Sequence, residues 1–67
     1  MHVIVNQQAM ELPDSASVPD LLSALQINSI KGIALAVNDQ IVRREHWNDF
    51  RFSSNDNILI IKATQGG

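Results

Sequence analysis

One stretch of this chain constrains the fold more than any other. Val18, Leu21, Leu22 and Leu25 fall at i, i+3, i+4 and i+7, the spacing of one apolar face of an α-helix. Ser17 stands where an N-cap belongs, and Asp20 three residues later completes a capping-box-like pair. Pro19 in the first turn removes only an N–H that would have had no helical partner. The spacing predicts a helix over Val18–Gln26, after which Asn28-Ser29 and Gly32 punctuate a loop. One helix must bury its apolar stripe against something else, and the flanking sequence reads as strand.

Met1 to Asn6 is a short β-branched run, Asn6-Gln7-Gln8 a turn, and Ala9 to Leu12 a second strand, so the chain opens with a predicted hairpin. Pro13-Asp14-Ser15 breaks the pattern. Beyond the helix, Ile33 to Val37 reads as a strand, Asn38-Asp39 as a turn and Gln40 to Val42 as a short returning strand. Arg43 to Asp49 is polar around one tryptophan and reads as a loop or short helical turn, and Ser53 to Asn57 as a turn cluster. Asn57 to Ala63 is the most β-prone segment, and its near-continuous apolar character predicts a central strand. The order β-β-α-β-β-β, with one helix across a mixed sheet of four to five strands, predicts an α+β two-layer fold.

Composition excludes several classes of function. At 67 residues the chain has one thin core and no room for a deep catalytic cleft. The formal net charge is −2 and there is no basic stripe, so the electrostatic footprint of a nucleic-acid binder is missing. The longest apolar runs are too short to span a membrane, and no charged segment followed by an apolar stretch suggests a secretory signal. The absence of cysteine excludes disulfides and thiol chemistry and suits a reducing cytoplasm, the expected location.

The last two residues, Gly66-Gly67, follow a hydrophobic strand. With no Cβ, glycine passes where other residues clash, so a terminal carboxylate at Gly67 could enter a narrow channel in another protein. The expected organisation is a single domain over 1–63 and a flexible tail over 64–67. Four residues at about 3.6 Å each reach roughly 14 Å, enough for a channel mouth.

These features together resemble the β-grasp (ubiquitin-like) fold, and within it the ThiS-type sulfur carriers of thiamine biosynthesis. Met1 to Asn6 resembles the family's opening M-x-V/I-x-V-N strand. Ser17-Val18-Pro19-Asp20-Leu21-Leu22 resembles its T/S-V-x-x-L-L helix start. Val37-Asn38-Asp39-Gln40-Ile41-Val42-Arg43-Arg44-Glu45-His46-Trp47 resembles its V-N-x-x-I-V-P-R-x-x-W segment, with Arg43 where the family usually has proline. Asp56-Asn57-Ile58-Leu59-Ile60-Ile61, a short tail and Gly66-Gly67 complete a match along the whole chain. Two readings stand beside it: a carrier like the molybdopterin-synthase small subunits, which share fold and Gly-Gly but usually run longer and lack the tryptophan segment, and a ubiquitin-like interaction or modifier domain.

The resemblance implies a carrier and co-substrate rather than a catalyst. A ThiF-like, E1-like adenylating enzyme would activate the Gly67 carboxylate with ATP and Mg²⁺, both used by that partner; this chain would bind no cofactor. A persulfide sulfur, supplied through a cysteine desulfurase or sulfurtransferase, would displace AMP and leave a thiocarboxylate. A ThiG-like thiazole synthase would accept the sulfur. Gly66, Gln65 and Thr64 would line the partner's channel.

Strand alternation suggests a docking face. If Lys62 marks the outer side of the last strand, Ile58 and Ile60 share that side. In the first strand His2, Ile4 and Asn6 look outward, and Val3 and Val5 inward. The expected partner-docking patch is therefore Ile4, Ile58, Ile60 and Lys62. Other residues carry less. His2 and His46 lack cysteine or carboxylate neighbours at ligand spacing, so no metal site is expected. Glu45 beside His46 reads as solvated surface, and Arg43-Arg44 are too few for a phosphate patch. Trp47 reads as a core anchor, and Phe50 and Phe52 as packing residues.

Overall fold

Two tight turns set the sheet. In the computed structural model, which describes residues 1–63, β1 (His2–Val5) and β2 (Gln8–Glu11) are joined by Asn6-Gln7. Likewise β3 (Ile33–Val37) and β4 (Gln40–Ile41) are joined by Asn38-Asp39. The turn residues have φ of 49° and 69° in the first hairpin and 52° and 70° in the second. Two-residue loops with both φ positive are type I′ turns, whose twist matches that of the flanking strands. Asparagine and aspartate tolerate this conformation best after glycine. Gln7 is carried there by the pairing of Val5 with Gln8 on either side of the loop.

β5 (Asn57–Lys62) inserts between the hairpins, giving the order β2-β1-β5-β3-β4 with β5 parallel to β1 and antiparallel to β3. The last strand is thus central, as its composition predicts. Each hairpin sends its first turn residue to hold β5. The Asn6 backbone N–H donates to the Ile58 carbonyl at 2.9 Å, and its Oδ1 accepts from the Ile60 N–H at 2.8 Å. Asn38 donates its backbone N–H to the Asn57 carbonyl at 2.7 Å and accepts the Asn57 N–H on Oδ1 at 2.9 Å. Its Nδ2 also donates to Asp56 Oδ1 at 3.0 Å. The side chains continue the backbone ladder where β1 and β3 have already turned.

The helix α1 (Val18–Ala24) starts as expected: the Asp20 N–H donates to Ser17 Oγ at 3.3 Å and the Ser17 N–H donates to Asp20 Oδ2 at 2.9 Å. The hydrogen bond that the Ser17 backbone N–H makes to the Asp20 carboxyl, with the Ser17 hydroxyl beside it, holds that carboxyl below its ordinary range, and the Arg51 charge adds to the effect. The helix ends earlier than the predicted Gln26. Gln26 takes φ 60°, its N–H donates to the Ser23 carbonyl at 3.0 Å, and the Ile27 N–H donates to the Leu22 carbonyl at 2.9 Å. That pair of bonds is a Schellman termination, normally signalled by glycine; a glutamine at the left-handed position hides it from the sequence.

The helix lies across one face of the sheet. Val18, Leu21 and Leu22 meet Val3 and Val5 of β1, Ile33, Leu35 and Val37 of β3, and Ile58 of β5 in one buried cluster, closed by Leu12, Ala16, Trp47 and Phe52. Burying each such aliphatic side chain contributes about 1.5–3 kcal/mol. Trp47 follows a short 3₁₀ turn over Arg44–His46 and donates Nε1–H to the Val42 carbonyl at 2.9 Å, so it is the expected core anchor with its one polar atom satisfied. Phe52 is buried, Phe50 packs against the cluster, and their rings meet edge to face at 5.4 Å. A mixed five-stranded sheet with one helix across it is the β-grasp arrangement that the sequence resemblance implied. β3 has the predicted bounds; β1, β2, β4 and β5 differ from theirs by a residue at one or both ends. No helix among the described residues is long and apolar enough to cross a membrane.

Candidate functional site

The tail residues proposed to carry chemistry, Thr64, Gln65, Gly66 and Gly67, lie outside the described residues. What the structure gives is the sheet that precedes them and the last described residue, Ala63.

The candidate surface is the sheet face opposite the helix. Its orientation in β5 is the reverse of the sequence expectation. Val5 pairs with Ile58, and Leu35 pairs with Ile60, so the even-numbered residues of β5 share the core side with Val5 and Leu35. Ile58 is fully buried, Ile60 is half-buried against the core, and neither belongs to an outer patch. Lys62 shares that inner side but sits in the last row of the strand, where it is exposed. A charge at a strand end reaches water from either face, so it was a poor marker of direction. Ile4 is on the outer face, as alternation in β1 predicts, and Val3 and Val5 are buried.

The outer side of β5 carries Leu59 and Ile61, 47% and 46% exposed, and with Ile4 at 39% and Ile41 at 65% they are large apolar side chains left in water. The pairings arrange them in rows: Ile41, Ala36 and Leu59 run across three strands, Ala34 lies beside Ile61, and Ala9 lies beside Ile4. Small alanines between large side chains leave a shallow relief. The charged groups of this face stand at its border, where His2 Nδ1 lies 2.8 Å from Glu11 Oε1. Open apolar patches of this kind often mark partner-contact sites in other proteins.

β5 leads from this face to the tail. At its end the Ala63 N–H donates to the Gly32 carbonyl at 2.7 Å. Gly32 sits in a tight turn, Ile30 to Ile33, closed by the Ile33 N–H donating to the Ile30 carbonyl at 3.1 Å. Its φ of +76° suits the third position of a type II turn. A Cβ there would come within 3.3 Å of the Ala63 carbonyl oxygen. Arg44 holds the same turn from the other side. Its Nη2 donates to the Ile30 carbonyl at 2.9 Å and the Ile33 carbonyl at 3.3 Å, while its guanidinium lies 5.5 Å from the Trp47 ring centroid. Both arginines are exposed, but Arg44 is tied to the backbone of the turn, whereas Arg43 lies 3.5 Å from the side chain of Glu45. Sequence reasoning missed this set, and also Leu59, Ile61 and Ile41. The available signals were the R-x-x-W spacing and the equal apolarity of the two sides of β5.

Among the described residues, no group of three or more His, Cys, Asp or Glu side chains could hold a metal ion, and no polar or charged residue is buried.

Comparison with known proteins adds the following. The family model of the ThiS family matches residues 3–67. The sulfur carrier protein ThiS of Escherichia coli (strain K12) is 37% identical over 67 residues, covering the whole of both chains. Among solved structures, the crystal structure of the thiamine biosynthesis protein ThiS from Geobacter metallireducens superposes with a TM-score of 0.84 at 23% identity, covering all of both chains. The solution structure of a thiamine biosynthesis protein from the same organism gives a TM-score of 0.79 at 23% identity, covering all of this chain and 88% of the other. At that identity the two structures speak to the fold.

Proposed function

The chain belongs to the ThiS family, and on that premise we propose that it is a sulfur carrier protein for thiamine biosynthesis. The observation that carries the reading is the match to a sulfur carrier along the whole chain, with Gly66-Gly67 inside the matched range.

The chemistry needs a partner. A free α-carboxylate has a pKa of about 3.3–3.7; ionised at neutral pH, it repels nucleophiles. An E1-like adenylating enzyme of the ThiF kind transfers AMP from ATP, with Mg²⁺, onto the Gly67 carboxylate. AMP is then a good leaving group: the outer sulfur of a persulfide delivered by a cysteine desulfurase or sulfurtransferase displaces it to form an acyl disulfide. A second thiol attacks the donor's inner sulfur, forming a disulfide with the donor and releasing the thiocarboxylate. The resulting thiocarboxylate donates sulfur to a thiazole synthase of the ThiG kind. The chain is carrier and co-substrate; nucleotide, metal and positioning belong to its partners, where electrostatic stabilisation resides. A cysteine-free chain suits this work in the cytoplasm, because it has no thiol of its own to react with its cargo.

Docking uses the outer face, with Leu59 and Ile61 in the places first given to Ile58 and Ile60. Ile4, Leu59 and Ile61 are exposed and apolar, and Ile61 stands two residues before Ala63, so a partner resting on this face has the tail root beside it. Thr64, Gln65 and Gly66 pass along the partner's channel.

Replacing the chromosomal gene by one lacking the Gly67 codon tests the reading. The expected strain requires added thiamine and grows equally well on added thiazole. Growth without either supplement would remove the carrier reading.

A further inference from the structure

We propose that Arg44 is a positioning residue: it holds the Ile30–Ile33 turn so that the Gly32 carbonyl fixes the Ala63 amide, and thereby sets the point and direction at which the chain leaves the sheet. This rests on the sulfur-carrier reading, because only a tail that must be presented to another protein gains from a fixed departure.

The geometry joins three observations. First, one guanidinium nitrogen reaches the carbonyls at both ends of the turn, at 2.9 and 3.3 Å. Those carbonyls belong to the first and fourth residues, so their spacing is pinned. Second, the guanidinium is backed by Trp47, itself buried and anchored to the Val42 carbonyl at 2.9 Å. The clamp therefore stands on the core. Third, the pinned turn presents the Gly32 carbonyl to the Ala63 N–H at 2.7 Å, one residue beyond the end of β5. On the other side of β5, β1 has already turned away at Asn6, whose side chain takes the Ile60 N–H. Past Ile60 the strand is therefore guided from the β3 side, where the Ile30–Ile33 turn is its last support.

Arg44 reaches its carbonyls through one nitrogen, so a lysine ammonium with three donors can replace it. The Gly32 site offers an independent perturbation. An alanine there must keep φ near +76° and place its Cβ 3.3 Å from the Ala63 carbonyl, which strains the turn without touching Arg44.

The test uses the full chain in two measurements. Amide hydrogen exchange by NMR on the free protein reads the departure point, and steady-state kinetics of its ATP-dependent conversion by the adenylating enzyme reads the consequence. In Arg44→Ala and Gly32→Ala the Ala63 amide is expected to exchange faster while core amides keep their protection. The outer docking face is unchanged, so KM should stay near the wild-type value and kcat should fall about tenfold or more, because ångström-scale misplacement of reacting groups is costly. Arg44→Lys should restore both. Unchanged Ala63 exchange in both Ala variants, or a loss confined to KM, overturns the inference while leaving the carrier reading intact. A wild-type chain that the enzyme leaves unmodified overturns the carrier reading and this inference with it.

Discussion

The two faces of β5 carry nearly the same side chains and do different things. Ile58 on the inner face is fully buried, and Ile60 packs against the core beside it; Leu59 and Ile61 on the outer face remain nearly half exposed. A strand needs only one apolar face to pack against one helix. A second, left in water without a layer to cover it, contributes little to the monomer's stability and exposes the chain to unwanted association. The inner face makes the fold, and the outer face fits a protein that must meet others.

The largest expected effect separates the faces by stability. Ile58→Ala should lower the unfolding free energy by about 2–5 kcal/mol, through lost burial and the cavity left behind. Leu59→Ala should cost less than about 1 kcal/mol, near the range of surface changes. Urea unfolding of both variants checks this, and equal losses would break the distinction. The reverse pattern is expected in binding. Ile61→Ala should weaken the complex with the adenylating enzyme by about tenfold or more, as truncation of a buried interface anchor does. Titration calorimetry measures it, and an unaltered affinity would place the docking surface elsewhere.

The asparagine clamps sharpen the comparison along the strand rather than across it. Asn38→Ala removes two side-chain hydrogen bonds, one to Asn57 at the start of β5 and one to Asp56 just before it, and puts a less suitable residue at φ 52°, for an expected loss of about 1–2 kcal/mol. Asn6→Ala removes one such bond, at Ile60, and should cost less. Thermal melts rank the two, and the opposite order would show that the Ile60 contact matters more than its count of bonds suggests.

The smallest effect concerns pH. The Asp20 carboxyl is held below its ordinary value by the Ser17 hydrogen bonds. A folded-state pKa below the unfolded one gives stability that is present above the unfolded pKa and lost as pH falls through the folded one. Asp20→Asn should therefore flatten part of the acid limb below about pH 4 and leave the neutral region little changed. Urea midpoints from pH 2 to 6 follow it; an acid limb of identical slope would show that the capping box does not titrate with folding.

Local features were legible in the sequence where the physics is local. The bounds of β3, the Ser17–Asp20 box and the central place of the last strand follow from propensity, capping chemistry and continuous apolar character. The end of α1 was hidden because Gln26 occupies a left-handed position without a glycine to mark it. The direction of β5 was hidden for a different reason. Its residues alternate Ile58, Leu59, Ile60, Ile61, so only pairing decides which side is inner, and the deciding partner, Val5, is remote in sequence. Arg44 was weighed as part of a phosphate patch, because its backbone carbonyl partners are acceptors whose placement a sequence does not show. The Gly67 chemistry was read from resemblance, and the match at 37% identity along the whole chain shows the family rather than that residue's role.

Intact mass spectrometry tests the central claim most directly. The purified chain is incubated with its adenylating enzyme, ATP, Mg²⁺, a thiol reductant and a persulfide donor shown to be active on another substrate. A mass gain equal to one oxygen exchanged for sulfur, localised to Gly67 and lost when Gly67 is deleted, is the expected result. An unchanged mass, or an AMP adduct that never exchanges for sulfur, would contradict it.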